Sequence, residues 1–305
     1  MSNLNTLLDI KNLSVTYRGG ARELRAVDGV SFSIAEGEVL GLAGESGCGK
    51  STVANAIMRL LKPPTEITAD ALHFEQRDLL ALEGRKLRSF RWREIAMVFQ
   101  SAMNSLNPVL TVGEQLADVF TTHERLGRRE ARDRSADLLR LVDIDPGRLK
   151  AYPHQLSGGM RQRVVIAMAV ALRPKLLIMD EPTTALDVVV QQEIMAQIKG
   201  LQRQFGFSVL FISHDMSLMV ELSDRIGVMY AGRLVEMAPA QTVFTHPLHP
   251  YTNALMNAFP PLSGPRVELT ALDDETRAAW SSHIPDLIEA TPGHWVARTP
   301  EGSHA

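Results

Sequence analysis

The chain has 305 residues, 45% of them hydrophobic, enough for one large α/β core plus an appendage, and its 32 Lys+Arg nearly balance 35 Asp+Glu. That balance excludes the global positive field of a nucleic-acid binder, and a single cysteine, Cys48, excludes a disulfide framework and suits a reducing cytosol. No apolar run approaches the roughly 18–20 residues that span a bilayer, and residues 1–17 (MSNLNTLLDIKNLSVTY) lack the charged start and cleavage site of a signal peptide, so a soluble protein reaching membranes only through partners is expected.

Residues 7–17 alternate apolar and polar as a half-buried strand does, and residues 26–34 repeat the pattern, with Asp28-Gly29 as a turn signal. Val39 to Ala43 is a short apolar strand, followed by a predicted helix from about Lys50 to Leu61 that Pro63-Pro64 would stop. From about residue 85 to 150 the chain is Arg-rich with amphipathic helical spacing, notably at 114–126 and 129–142, and reads as a helical insert in the α/β core. The core resumes with a helix after Ser157, a strand Leu176–Asp180, a helix at about 188–205 and a strand Ser208–Ser213. A hairpin around Ala231-Gly232 follows. Strands alternating with helices imply a largely parallel sheet. Beyond about Gly264 the tail reads as loosely ordered.

Gly44-Glu45-Ser46-Gly47-Cys48-Gly49-Lys50-Ser51 fits G-x-x-x-x-G-K-[ST] and sits between an apolar strand and a helix, as a phosphate-binding loop must. Glycines let backbone N–H groups curl around phosphate oxygens, and the helix N-terminus adds a favourable dipole. Lys50 would reach the β and γ phosphates of ATP, the Ser51 hydroxyl would ligate Mg²⁺, and Thr52 could donate to the α phosphate. Cys48 reads as a small loop residue, not a nucleophile.

Leu176 to Met179 delivers Asp180 to the carboxyl end of a strand, where open α/β sheets bind ligands. Asp180 would hold Mg²⁺ directly or through water. Glu181, next in line, would polarise the water attacking the γ phosphate. With the metal neutralising one carboxylate, the other stays available as a base.

Taken with these, the octapeptide Leu156 to Arg163 (LSGGMRQR) resembles the signature of the nucleotide-binding domain of ATP-binding cassette (ABC) proteins. The similarity runs in order from residue 7 to about 261, through Tyr17, Gly44–Ser51, Gln100, Leu156–Gln162, Asp180-Glu181, Thr184-Ala185-Leu186-Asp187 and His214. It implies an α/β P-loop NTPase fold with a RecA-like core, an antiparallel β subdomain and a helical subdomain at about 85–172, all within residues 1–260. It implies, too, that Tyr17 stacks on adenine, that Gln100 senses the metal and attacking water, and that His214 contacts the γ phosphate. Ser157, Gly158 and Gly159 begin a helix, so their N–H groups and hydroxyl favour a phosphate; in the family, together with Gln162, they face ATP held by an opposing subunit, and Asp187 lies in a loop crossing the same interface. Thr184 stands where the family usually has Ser.

Two further stretches narrow the class. Residues 99–108 (FQSAMNSLNP) resemble the segment after the glutamine in oligopeptide/dipeptide importers, and residues 246–256 (HPLHPYTNALM) resemble their extension beyond the core. The resemblance implies two membrane permease subunits, a second and often different ATPase subunit, an external solute-binding protein, and a peripheral position on the cytoplasmic face of the inner membrane. Leu106 would help line the groove for a permease helix. Peptides, nickel, opines and oligosaccharides all occur as cargo in this family. Its members often carry a Cys-rich tail, but residues 261–305 hold no cysteine, so an iron–sulfur cluster is not expected, and His246, His249, His283, His294 and His304 lack metal spacing and read as solvated. The basic run 85–93 reads as a solvated helix. A nucleic-acid or ribosome-associated ATPase would carry a coiled coil, a DNA-binding insertion or a second cassette, and none is apparent; an exporter subunit would lack the two importer-type stretches.

Overall fold

A computed structural model describes residues 5–19, 23–100, 105–183, 186–257 and 284–297. Along the chain it contains β1 (Thr6–Tyr17), β2 (Leu24–Ala35), β3 (Val39–Ala43), α1 (Lys50–Ile57), β4 (Thr65–Thr68), β5 (Ala71–Phe74) and β6 (Arg77–Asp78). Next come α2 (Gly84–Phe90), β7 (Ile95–Val98), α3 (Val112–His123), α4 (Arg128–Leu141), α5 (Gly158–Val170), β8 (Leu176–Asp180), α6 (Val188–Phe205) and β9 (Ser208–Ile212). The chain ends with α7 (Met216–Leu222), β10 (Arg225–Tyr230), β11 (Arg233–Pro239), α8 (Ala240–Thr245), α9 (Pro250–Asn257), β12 (Leu287–Thr291) and β13 (His294–Ala297). The backbone divides into two compact units, one from residues 1–80 with 211–305 and the other from 81–210.

In the first unit, β1 pairs antiparallel with β2, β4 and β5. Alternating burial along β1 and β2 puts Leu8, Ile10, Leu13, Val15, Val27, Val30 and Ile34 inside. Asp28-Gly29 does not turn the chain. Val27 pairs with Val15 and Val30 with Leu13, so two residues of β2 oppose Ser14 as a bulge. Gly29 takes φ 66° there and donates its N–H to Ser14 Oγ. A second sheet of this unit runs β12-β13-β11-β10-β3, with β3 parallel to β10 and the other pairs antiparallel.

Helix α1 stops at Ile57, a turn earlier than the prolines require. Leu60 N–H reaches Asn55 O and Arg59 N–H reaches Ala56 O, with Arg59 at φ 54°, which is a Schellman ending. The Arg59 guanidinium donates to the carbonyls of Leu79 and Leu80, which holds that strained residue in place.

The second unit contains α2 to α6 with β7 and β8 paired in parallel. Helix α3 begins at a capping box, Thr111 Oγ1 accepting from Glu114 N–H while the Glu114 carboxylate accepts from Thr111 N–H. The basic run largely coincides with α2, whose cations are exposed while Phe90 is buried.

Residues 284–297 depart from the loosely ordered tail that composition suggests. They fold as the hairpin β12–β13 around Gly293, at φ 76°, and β13 extends β11. The anchor is a long-range contact: His294 Nε2–H donates to Glu236 Oε1 at 2.6 Å, with both side chains buried. The expected solvated roles of His294 and His249 are therefore incorrect, since both are buried, whereas His246 is exposed. His283, His304 and the tail at 265–283 lie outside the described residues.

Candidate functional site

The phosphate loop lies in the first unit, between the buried strand β3 and α1. Its glycines are required by space and by backbone angle. Gly44 has φ 143°, and a Cβ there would meet Met229 O at 2.3 Å; Gly49 has φ 107°, and a Cβ would meet Ala26 O at 2.5 Å. Gly47 has φ 83° and open space around it. Gly49 is the N-cap of α1 and brings no side chain to the first-turn N–H groups, so that helix start is built to take an anion.

Lys50 is buried, and its ammonium donates to Gly44 O and Glu45 O, both at 2.8 Å, with Cys48 Sγ at 3.6 Å. Among the described residues this buried cation donates to neutral acceptors, two carbonyls and the Cys48 sulfur, and so keeps a charge that a triphosphate would balance. Burial pushes the Cys48 thiol above the ordinary cysteine range, only partly offset by Lys50; this is an unreactive environment. Glu45 and Ser46 are exposed on the loop. Tyr17 Oη lies 3.4 Å from Thr52 Oγ1, so the end of β1 reaches the first turn of α1. His214, exposed, stands two residues past the end of β9, and the next residue, Asp215, caps α7 by accepting from Ser217 and Leu218 N–H.

The second unit carries the acidic pair. Asp180 is buried at the end of β8, every residue of which is buried. Glu181 follows at φ 45°, a left-handed angle unusual for a non-glycine residue. The parallel register pairs Val98 with Met179; two residues further on, Gln100 and Glu181 meet, and Gln100 Nε2 donates to Glu181 Oε2 at 2.9 Å. Sequence placed each at a strand end and did not foresee their contact.

Ser157 caps α5, its Oγ accepting from Met160 N–H at 3.2 Å. Gly158 and Gly159 open that helix, and a Cβ on Gly159 would meet Val190 Cγ1 at 2.8 Å. Gln162 is buried one turn on. Asp187 caps α6 by accepting from Val190 N–H, and the following Val188 and Val189 are exposed large apolar residues. Thr184-Ala185 and the part of the post-glutamine segment at 101–104 lie outside the described residues. Leu106 is buried.

Among the described residues no three His, Cys, Asp or Glu converge as a metal cage. Ser51, in the first unit, offers a hydroxyl oxygen, and Asp180, in the second, a carboxylate; each is the kind of hard oxygen donor that Mg²⁺ takes. No helix among the described residues is long and apolar enough to cross a membrane.

The H-P-Y-T stretch holds a residue that sequence reasoning treated only as a family mark. Tyr251 Oη accepts the Glu45 N–H at 2.9 Å, placing α9 against the phosphate loop.

Comparison with known proteins agrees with this picture. The ABC transporter family pattern matches residues 27–184, and the oligopeptide/dipeptide transporter C-terminal region pattern matches 235–282. A dipeptide transport ATP-binding protein of Haemophilus influenzae is 48% identical over 268 residues, covering 87% of this chain and 81% of its own. Its namesake in Bacillus subtilis is 42% identical over 301 residues, covering 97% and 88%. Among solved structures, an ATP-binding cassette captured as a post-hydrolysis dimer with ADP and Pi superposes with a TM-score of 0.68 at 30% identity, over 76% of this chain and 98% of that one.

Proposed function

The chain belongs to the ABC transporter family as an ATP-binding subunit, and from that premise we propose that it hydrolyses ATP to drive import of peptides or related small solutes. One observation supports the importer class above the others: similarity continues past the ATP-binding core into residues 235–282, the region characteristic of oligopeptide and dipeptide transporters. Its partners are two transmembrane permeases, a second ATPase subunit and an external solute-binding protein, and its place is the cytoplasmic face of the membrane.

In this reading the backbone N–H groups of the Gly44–Ser51 loop, other than that of Glu45, which donates to Tyr251, cradle the phosphates, and the Lys50 ammonium turns from the carbonyls of Gly44 and Glu45 to the β and γ oxygens. Tyr17 stacks on the adenine, and Thr52 donates to the α phosphate. Ser51 and Asp180 would hold Mg²⁺, which would supply neutralisation of the phosphate charge. Gln100 orients the Glu181 carboxylate that it already contacts and would sense the metal. Glu181 accepts the proton of the attacking water as that oxygen bonds in line to the γ phosphorus and the bond from that phosphorus to the β–γ bridging oxygen breaks, leaving ADP and phosphate. His214 contacts the γ phosphate and fixes the water.

Ser157, Gly158, Gly159 and Gln162 of one subunit, with Asp187, close over the nucleotide of its neighbour. ATP thereby favours the closed pair, and hydrolysis releases it. The exposed Val188 and Val189, beside Asp187, suit a surface that is covered in the closed state.

The test is uptake. Permeases, both ATPases and the solute-binding protein, reconstituted in vesicles, should accumulate labelled peptide with ATP inside the assembly's cytoplasmic compartment. Accumulation without ATP, or ATP turnover indifferent to a peptide-loaded binding protein, would overturn the proposal.

A further inference from the structure

The phosphate loop is held from outside by the segment that follows the ATPase core. Glu45 is exposed, yet its backbone N–H donates to the hydroxyl of Tyr251, a residue 3% exposed on α9. The carbonyl of the same residue accepts from Lys50 Nζ at 2.8 Å and from Cys48 N–H at 3.3 Å. The two peptide groups flanking the Glu45 Cα are thus fixed, one by Tyr251 and the other by the loop itself.

The position of Tyr251 is itself determined by buried groups. Its ring packs on Tyr230 at the end of β10, with centroids 4.6 Å apart. Its own N–H donates to His249 Nδ1, which makes that imidazole the cap of α9, and Pro250 occupies the first helical position, where no N–H is needed. The turn before the helix is tied to the sheet by Glu236 on β11, whose carboxylate accepts from Leu248 N–H at 2.8 Å and His249 N–H at 3.0 Å. The same carboxylate accepts from His294 of β13.

We propose that Tyr251 is a positioning residue of the nucleotide site: through its hydroxyl it fixes the Glu45 amide, and so pre-orders the loop that receives the triphosphate. This rests on the ATP-binding role assigned to Gly44–Ser51 above. A phenol suits the task because it accepts a hydrogen bond without carrying charge; burial raises its pKa, so it stays neutral beside a site for an anion. A carboxylate there would accept equally well and repel the phosphates. Without the hydroxyl the loop samples other shapes, and nucleotide must select the competent one, so apparent affinity falls by the competent fraction.

The test uses the full chain with Tyr251→Phe, which keeps the ring against Tyr230. Loss of one neutral hydrogen bond predicts ATP binding weaker by about three- to tenfold. The buried Cys48, the one thiol in the chain, reports the loop directly: alkylation of nucleotide-free protein should speed up by a similar factor and be suppressed by ATP. A residue that merely packed would lower the melting temperature and leave both readouts unchanged. In the wild-type protein the Glu45 amide should exchange slowly with solvent despite its exposed side chain, a measurement that needs no variant.

ATP affinity and Cys48 alkylation at wild-type values in Tyr251→Phe overturn the proposal, as does rapid exchange of the Glu45 amide. A wild-type chain that does not bind ATP defeats the functional reading instead, and the thiol and amide measurements then still decide the contact.

Discussion

Glu236 ties the C-terminal segment to β11, and its removal tests how that segment is held. The side chain is fully buried and receives three donors: Leu248 N–H, His249 N–H and His294 Nε2–H. Glu236→Ala leaves all three without their acceptor, two of them in the interior and that of Leu248 nearer the surface. Each stranded donor costs about 1–3 kcal/mol, and allowing one of them to find water leaves a loss of about 2–6 kcal/mol. Against a typical stability of about 5–15 kcal/mol, that is a large fraction. At about 2–4 °C per kcal/mol for a unit of this size, melting should fall by about 4–24 °C. Differential scanning fluorimetry of the two proteins side by side reads this directly. Glu236→Gln keeps one acceptor and turns one amide group against a donor, so its melting point should fall between the two. Glu236→Ala melting within about 2 °C of wild type would refute the reasoning, because the carboxylate would then not be what holds α9 and the hairpin.

Acid should weaken the same region. Burial lowers the His249 pKa to about 4, below the ordinary value near 6.5 that applies when unfolded. The neutral ring therefore contributes stability that is fully present above pH ~6.5 and is lost as pH falls toward 4, by about 3 kcal/mol in total. The loss has a structural counterpart, since a doubly protonated ring cannot accept from Tyr251 N–H. Urea unfolding at pH 7.5 and 5 should show it, and His249→Asn should flatten the slope; equal slopes for both proteins would contradict it. Gly44→Ala adds a Cβ 2.3 Å from Met229 O at a φ of 143°, and should weaken ATP binding by at least about tenfold and lower the melting temperature by several degrees. Calorimetric titration giving wild-type affinity would count against the close approach.

The parts of this fold legible in sequence are those fixed by local chemistry. A strand, a glycine-spaced loop and a helix announce Gly44 to Ser51, and an apolar strand announces Asp180, because each needs only its neighbours in the chain. Where long-range pairing decides, sequence was silent. Nothing near Gln100 says that its register with β8 will bring it to Glu181. Asp28-Gly29 carries turn chemistry, yet Ser14 opposite makes it a bulge. The tail at 284–297 looks unremarkable until Glu236, 58 residues before His294, supplies its anchor. Helix α1 ends at a Schellman turn centred on Arg59, stabilised by carbonyls about twenty residues away, where only the prolines were visible as a stop.

The central claim is that Glu181 drives hydrolysis within a nucleotide-closed pair of subunits. Phosphate release by the assembled importer, measured with wild-type and Glu181→Gln chains, tests it most directly. The variant should bind ATP within about threefold of wild type, lose about 10²–10⁴ in turnover, and accumulate an ATP-dependent dimer on gel filtration. Turnover above a tenth of the wild-type rate, with ATP bound, would contradict the account.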